Sequence, residues 1–161
     1  MKFKEIIKDR AEYLDIDPAL VTAIISAESS FDPLAIRFEP QYPWLADPAK
    51  HAAALGVAFE YERHLQKFSY GLGQIMGATA RDIGYNIDFK FLFEPEVNIY
   101  WTVKFLKRLE KRYKTTEKVI ASYNAGSPRK VEGRSEWVNQ SYVDKVMTRM
   151  LDYQVALAVE D

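Results

Sequence analysis

A single acidic side chain interrupts an apolar stretch near the start of the chain. Residues 23–29 read AIISAES, and Glu28 is their only acid. The stretch closes a predicted helix, and the negative C-terminal end of a helix dipole disfavours a carboxylate there. Apolar neighbours desolvate a carboxyl group and raise its pKa, and a glutamic acid with a pKa near neutrality can donate a proton and later take one back. Glu28 is therefore either a candidate general acid/base or a helix-end residue in water.

The glycine-rich segment YGLGQIMG, residues 70–77, is a second candidate. Gly71 and Gly73 allow close approach of the backbone and expose amide groups, and Gln74 adds a hydrogen-bond donor and an acceptor. No Gly-Lys-Ser/Thr follows and no strand precedes, so a P-loop and a dinucleotide fingerprint are both excluded. The segment is either a polar rim that binds sugar amides and hydroxyls or a tight turn between helices.

A third candidate is the segment ASYNAG, residues 121–126. It places Tyr123 and Asn124 at a predicted helix end, just before Gly126. Asparagine at such a position is often only a capping residue, so this segment is weak evidence when taken alone.

The other residue types exclude several kinds of site. Without cysteine, the chain has no disulfide framework and no thiolate metal site. His51 and His64 are thirteen residues apart with no further ligand motif nearby, so we expect neither a metal ion nor a cofactor. Serines flank Glu28, but no G-x-S-x-G motif is present, which argues against a serine triad.

The helix that positions Glu28 has clear sequence boundaries. Asp17 is a predicted N-cap and Pro18 the first helical residue, while Asp32-Pro33 ends the helix. The sequence between them is apolar almost all round, which predicts a buried central helix.

Most of the remaining chain also reads as helix, without a strand pattern longer than a few residues. Residues 37–48 form a proline- and aromatic-rich loop, and a helix runs from Pro48 to Lys67, weakened at Gly56. Residues 70–85 predict short helices with tight turns. Further helices begin at Pro95, near Thr115 and after Asn139, with a polar loop over residues 127–138. In the helix from Pro95, a predicted apolar stripe recurs every four residues: Val97, Trp101, Phe105, Leu109 and Tyr113.

Composition limits the partners. The 161 residues are 48% hydrophobic with a net charge of -1, which fits one globular domain and lacks the basic footprint of a nucleic-acid-binding protein. The basic stretch at residues 104–118 is either a solvated helix face or a surface that meets an anionic polymer. No signal peptide or membrane span is expected, and we expect a monomer.

Four segments in this order resemble the catalytic domain of the soluble lytic transglycosylases, which have the goose-type lysozyme fold. They are AESSFDPLA, YGLGQIMGATA, ASYNAG and QSYVDKV. The resemblance covers most of residues 17–151 and implies a mostly α-helical, lysozyme-like single domain that acts on peptidoglycan glycan strands.

The resemblance also implies roles for individual residues. Glu28 matches the single catalytic acid/base of the family. The implied substrate-binding residues are Ser29, Gly71, Leu72, Gly73, Gln74, Tyr123, Asn124 and Tyr142.

The implied reaction is cleavage of the β-1,4 bond between N-acetylmuramic acid and N-acetylglucosamine with formation of a 1,6-anhydro ring. Hydrolysis of the same bond, with Asp32 or Glu39 positioning water, stays open, as does a non-catalytic wall-binding module. A cell-wall enzyme without a signal peptide is explained by delivery as a phage protein or by excision from a longer chain.

The chain departs from the compact members of the family in an inserted segment at about residues 34–70. That segment contains a second carboxylate, Glu39, among aromatic residues. We expect Arg37–Trp44 to border the sugar groove, with Glu39 either close enough to raise the pKa of Glu28 or salt-bridged to Arg37 at the surface. The acidic residue that many members carry before the late tyrosine is also missing, since only Glu136 lies near Tyr142.

Overall fold

The computed structural model describes residues 2–160, and they are mostly helical, as predicted. The α-helices are α1 (Lys4–Tyr13), α2 (Pro18–Ser29), α3 (Pro48–Leu55), α4 (Phe59–Leu65), α5 (Gly77–Asp82), α6 (Pro95–Tyr113), α7 (Thr116–Ala125) and α8 (Gln140–Glu160). A short 3-10 helix spans Phe89–Phe93, and three strands are β1 (Ile36–Phe38), β2 (Phe68–Tyr70) and β3 (Ile75–Met76). The chain forms two compact units, one of residues 3–27 with 103–160 and one of residues 28–102.

In the first unit, α2 begins where the sequence predicts. The Asp17 carboxylate accepts a hydrogen bond from the Ala19 amide at 2.8 Å, which confirms Asp17 as the cap. Every side chain from Ala19 to Ile25 is buried, as expected for a central helix that is apolar all round. Helix α7 packs on α8 and ends at Gly126, whose φ of 75° is readily adopted only by glycine.

The predicted apolar stripe of α6 is wrong in detail. Of its five residues only Leu109 is fully buried. The buried side chains are instead Asn98, Ile99, Thr102, Val103, Leu106 and Leu109. An α-helix has 3.6 residues per turn, so a strict four-residue repeat drifts by about 40° at each step and cannot remain on one face. Spacings of three and four in alternation follow the core.

The basic stretch of α6 is mostly a solvated face. Lys111 and Arg112 are exposed. Lys107 pairs with Asp15 and Glu110, each at 3.1 Å, and the hydrogen bond to Glu110 is the main reason that its pKa is raised.

In the second unit, the helix predicted from Pro48 to Lys67 is two helices. Gly56 has a φ of 68° and ends α3, and Ala58 is extended before α4 begins at Phe59. Glycine adopts positive φ without a steric penalty, so it terminates the first helix and does not merely weaken it.

The second unit also contains a small antiparallel sheet that the sequence did not predict. Its order is β1-β2-β3, with Ile36 opposite Tyr70 and Tyr70 opposite Ile75. Strands of three, three and two residues are too short to show a period-two pattern. The segment predicted as short helices with tight turns is therefore a β-hairpin whose turn is Gly71–Gln74, followed by α5.

Candidate active site

Glu28 occupies the penultimate position of α2, in the half-buried last turn of the helix. Residues 19–25 are buried, and residues 26–29, Glu28 among them, are half-buried. Ser30 and Phe31 follow with φ values of 53° and 63°, so the helix stops at once. The Asp32 carboxylate then accepts a hydrogen bond from the Leu34 amide at 2.9 Å. The predicted helix end is thus confirmed, and Glu28 lies two residues before the first of the two positive-φ residues that end the helix.

Ser29 connects this helix end to the hairpin turn. Its hydroxyl donates a hydrogen bond to the carbonyl oxygen of Leu72 at 2.7 Å, and Leu72 is completely buried. Two of the four sequence motifs, which are 43 residues apart, therefore meet in the second unit. Ser29 positions the turn beside Glu28.

The glycine amides of the turn are engaged within the protein. The Gly71 amide donates to the Ala35 carbonyl at 2.7 Å, and the Gly73 amide donates to the side-chain oxygen of Asn98 at 2.8 Å. A Cβ at Gly73 would collide with Thr102, and one at Gly71 with the Asn98 side chain. These glycines therefore allow α6, through Asn98 and Thr102, to pack closely against the turn.

Asn98 is the anchor of the turn and was missed by sequence reasoning. It is fully buried, and its amide nitrogen also donates to the carbonyls of Tyr70 and Leu92 at 2.8 and 2.7 Å. The one available signal is an asparagine within the apolar face of α6, since asparagine is rarely buried without several hydrogen-bond partners.

Gln74 also uses its polar atoms internally. Its amide nitrogen donates to the carbonyls of Ala35 and Gly71 at 3.0 and 2.9 Å, and its oxygen accepts from Ser69 at 3.1 Å. The Gln74 side chain therefore ties the turn to β2 and to the residue before β1. The same contacts hold the Gln74 backbone at its φ of 47°.

In the first unit, the ASYNAG motif lies at the end of α7. The half-buried Tyr123 ring packs 5.3 Å from Phe105. The Asn124 side-chain oxygen accepts from Asn139 at 2.9 Å, and Asn139 also donates to the Ala121 carbonyl at 3.1 Å. Asn124 is thereby tied to the residue that precedes α8.

Tyr142 lies on the first turn of α8, the helix that also carries two cations, Lys145 and Arg149, that the sequence analysis did not single out. Lys145 Nζ is 5.3 Å from the Tyr142 ring and donates to the Ala27 carbonyl at 3.3 Å. Arg149 donates to the Ser26 hydroxyl at 2.9 Å. Cations at a helix C-terminus are favourable, so both residues stabilise the end of α2.

Glu39 lies just after β1 and forms an ion pair with Arg37. Its carboxylate is 38% exposed, and its amide donates to the Lys67 carbonyl at 2.9 Å. These contacts match the surface salt bridge that was one of the two interpretations of Glu39.

His64 takes part in aromatic packing, and His51 has a shifted pKa. His64 contacts the rings of Phe38 and Phe68, at 4.9 and 5.6 Å. Burial, together with the charge of Arg81, lowers the pKa of His51. Within residues 2–160 there is no group of three or more His, Asp and Glu side chains that could hold a metal ion, and none of the helices there is long and apolar enough to cross a membrane.

The family assignment rests on a match over most of the chain. Residues 5–143 match the family model described as the Transglycosylase SLT domain. The match spans Glu28, the hairpin turn, the ASYNAG motif and Tyr142, so it confirms the lysozyme-like fold that the resemblance implies. The protein therefore belongs to the Transglycosylase SLT domain family and is a transglycosylase of peptidoglycan glycosidic bonds.

Proposed function

We propose that the protein cleaves the bond between N-acetylmuramic acid and N-acetylglucosamine with Glu28 as its single acid/base and leaves a 1,6-anhydro end. The observation that carries the proposal is the half-buried position of Glu28 at the end of a helix whose residues 19–25 are buried. Partial burial favours the protonated form of a carboxyl group, and a protonated group is required for the first step.

The reaction has two proton transfers. Glu28 donates its proton to the glycosidic oxygen, the C1–O bond breaks, and the N-acetylglucosamine hydroxyl leaves. The 2-acetamido oxygen of the muramic acid bonds to C1, so a second enzyme carboxylate is not needed (substrate-assisted enzymes depart from the two-carboxylate rule). Ionised Glu28 then removes the proton of the C6 hydroxyl, whose oxygen displaces the acetamido oxygen from C1. The ring closes, and no water is consumed.

Two carboxylates that would position water in a hydrolytic reaction are engaged elsewhere. Asp32 accepts a hydrogen bond from the Leu34 amide, and Glu39 pairs with Arg37. The ion pair of Glu39 supports ring closure over hydrolysis, because a carboxylate held by Arg37 is less available to position water.

The other motif residues divide between positioning and contact. Ser29, Gly71, Leu72, Gly73 and Gln74 hold the turn beside Glu28 through the hydrogen bonds and packing described above. We assign sugar contact to Tyr123, Asn124 and Tyr142, whose side chains are half-buried or exposed and therefore accessible to a ligand.

The test combines a variant with product analysis. Glu28→Gln keeps the shape of the side chain but cannot transfer the proton, so turnover of peptidoglycan should fall by roughly 10²–10⁴-fold with unchanged thermal stability. Mass spectrometry of the wild-type digest should show ends that lack one water relative to hydrolytic ends. Asp32→Asn is the matched control and should leave the product unchanged. Retention of more than half of the turnover by Glu28→Gln would exclude Glu28 from the mechanism, and hydrated ends would exclude ring closure.

A further inference from the structure

The inserted segment and helix α5 line a pocket in the second unit. The pocket has a volume of about 260 Å³, and we name it the Trp44 pocket. Trp44 is 76% exposed. The lining residues are Tyr42, Trp44, Leu45, Ala46, Ala78, Thr79 and Asp82. Its volume is somewhat below the roughly 300–1,000 Å³ of pockets for drug-sized ligands, which suits a single ring.

Both walls of the Trp44 pocket are fixed to one buried residue, Gln66. The Gln66 side-chain oxygen accepts from the Ala46 amide at 2.8 Å, and its nitrogen donates to the Ala46 carbonyl at 3.1 Å. The Gln66 carbonyl accepts from the Ala78 amide at 2.9 Å. The loop that carries Trp44 and the helix that carries Asp82 are thus held by the same residue.

Gln66 is itself fixed by a buried ion pair. Its amide nitrogen donates to Glu62 at 3.0 Å, and Glu62 receives two hydrogen bonds from Arg81, at 2.8 and 3.0 Å. Glu62 and Arg81 are 1% and 0% exposed. Since each group in this network restrains its neighbours, the pocket is preorganised.

The other end of the loop is anchored as well. The Glu39 amide donates to the Lys67 carbonyl, and the Tyr42 amide donates to the Glu39 carbonyl at 3.0 Å. Lys67 Nζ donates to the Pro40 carbonyl at 2.9 Å. A large aromatic side chain left exposed on a loop that is held at both ends indicates a recognition surface, because aromatic anchors on a rigid support lose little entropy on binding.

We propose that the Trp44 pocket is an accessory saccharide site that binds one N-acetylated amino-sugar ring of a glycan strand. The apolar C–H face of such a ring packs on an indole, while the Asp82 carboxylate and the Thr79 hydroxyl accept hydrogen bonds from sugar hydroxyls and the amide. The choice of a glycan ligand rests on the proposed function.

The test is a titration of the full chain with N-acetylglucosamine oligomers, in the Glu28→Gln background so that no cleavage occurs. The indole N–H signal of Trp44, identified by its loss in Trp44→Ala, should shift on titration. Trp44→Ala should weaken binding at this site at least about tenfold, as followed by the backbone amide signal of Thr79, which lines the pocket and is present in both proteins. Tyr13→Ala is the matched control, since Tyr13 is 73% exposed but lies outside the pocket.

A second variant tests the polar contact. Thr79→Val should weaken the binding of N-acetylglucosamine oligomers at the Trp44 pocket, because the hydroxyl that accepts a hydrogen bond from the sugar is removed. An unshifted Trp44 signal, or equal affinity in Trp44→Ala and the parent, would overturn the proposal. Full activity of Glu28→Gln with intact binding at Trp44 would refute only the catalytic assignment, and loss of activity without binding at Trp44 would refute only the saccharide site.

Discussion

The Gly71–Gln74 turn and the loop of residues 39–46 are each anchored by one buried amide side chain, yet they differ in what they leave exposed. Asn98 holds the turn through three hydrogen bonds. The Gln66 side chain holds the loop through two hydrogen bonds to Ala46 and is itself held by a third, to Glu62. In the turn, the glycine amides and the Gln74 side chain that suggested sugar binding form hydrogen bonds with other groups of the protein. In the loop, the backbone is restrained while the Trp44 ring faces solvent.

This difference shows that residue type alone does not identify a binding surface. Glycine and glutamine in the turn have the chemistry to bind sugar, but the groups described above already have partners inside the fold. The loop has few polar side chains, and its capacity to bind lies in an aromatic face that nothing in its own unit covers fully.

The largest effect is expected from Asn98→Leu. Three buried partners, the Gly73 amide and the carbonyls of Tyr70 and Leu92, lose their hydrogen bonds, and each such loss costs roughly 1–3 kcal/mol. We therefore expect the free energy of unfolding to fall by about 4–5 kcal/mol, measured by urea denaturation. Asn86→Leu, at an exposed position, is the control. A loss below about 1 kcal/mol would contradict the role of Asn98 as anchor.

Glu62→Gln should come next, with a distinctive pH dependence. Burial alone raises the pKa of Glu62, but the hydrogen bonds from Arg81 and Gln66 and the charge of Arg81 lower it below its ordinary value of 4.5 in total. A carboxyl group with a lowered pKa stabilises the fold above its unfolded pKa and loses that contribution as the pH falls through its folded pKa.

Removal of the Glu62 charge leaves Arg81 buried without its counter-ion, so we expect a loss of about 3 kcal/mol at pH 7. The variant should also show a flatter decrease of melting temperature below pH 4.5 than the wild type. Glu60→Gln is the matched control on the same helix, since Glu60 pairs with Arg63 at the surface. An acid limb as steep as that of the wild type would show that Glu62 does not titrate in this way.

Gly73→Ala tests whether the glycines of the turn act in packing or in sugar binding. The added methyl group meets Thr102, and overpacking of a buried site costs roughly 1–3 kcal/mol. Thr102→Ala in the same chain should restore part of that loss, as a double-mutant cycle measures. Unchanged stability combined with weaker binding of N-acetylglucosamine oligomers would instead support a sugar-binding rim.

Gln66→Leu should cost less than Asn98→Leu. The Ala46 amide and carbonyl lie on a surface loop where water can replace the lost partner, so we expect a loss of about 1–2 kcal/mol. Binding at the Trp44 pocket should weaken together with the loss of order. Crystallographic or amide-exchange measurements should show increased motion of residues 39–46. A loop that stays as protected as in the wild type would show that Gln66 does not anchor it.

The smallest effect is expected from Glu39→Gln. Its ion pair with Arg37 is largely exposed, and such pairs contribute under about 1 kcal/mol. The pH–activity profile should keep its basic limb. A shift of that limb to lower pH would mean that Glu39 acts on Glu28, because the repulsion that raises the pKa of Glu28 would have been removed.

Helix starts and stops were the features most accessible to sequence reasoning. Asp17-Pro18, Asp47-Pro48 and Gly126 act through local backbone geometry and capping, so the signal lies within a few residues of its effect. The three strands were not predicted because segments of three, three and two residues are too short to show a period-two pattern. The wrong stripe on α6 has a different cause, a repeat of four where the helix turns every 3.6 residues.

The sequence by itself determined the helical class, the family motifs and Glu28 as the acid at the end of α2. Only the tertiary structure decided which polar groups form hydrogen bonds within the protein. The Gly73 amide is satisfied by Asn98, 25 residues away, and the Ala46 backbone by Gln66, 20 residues away. A hydrogen bond between distant residues leaves no local pattern, because it depends on where the fold brings the two groups together. For the same reason, only the fold shows that the Trp44 ring remains exposed on a fixed loop.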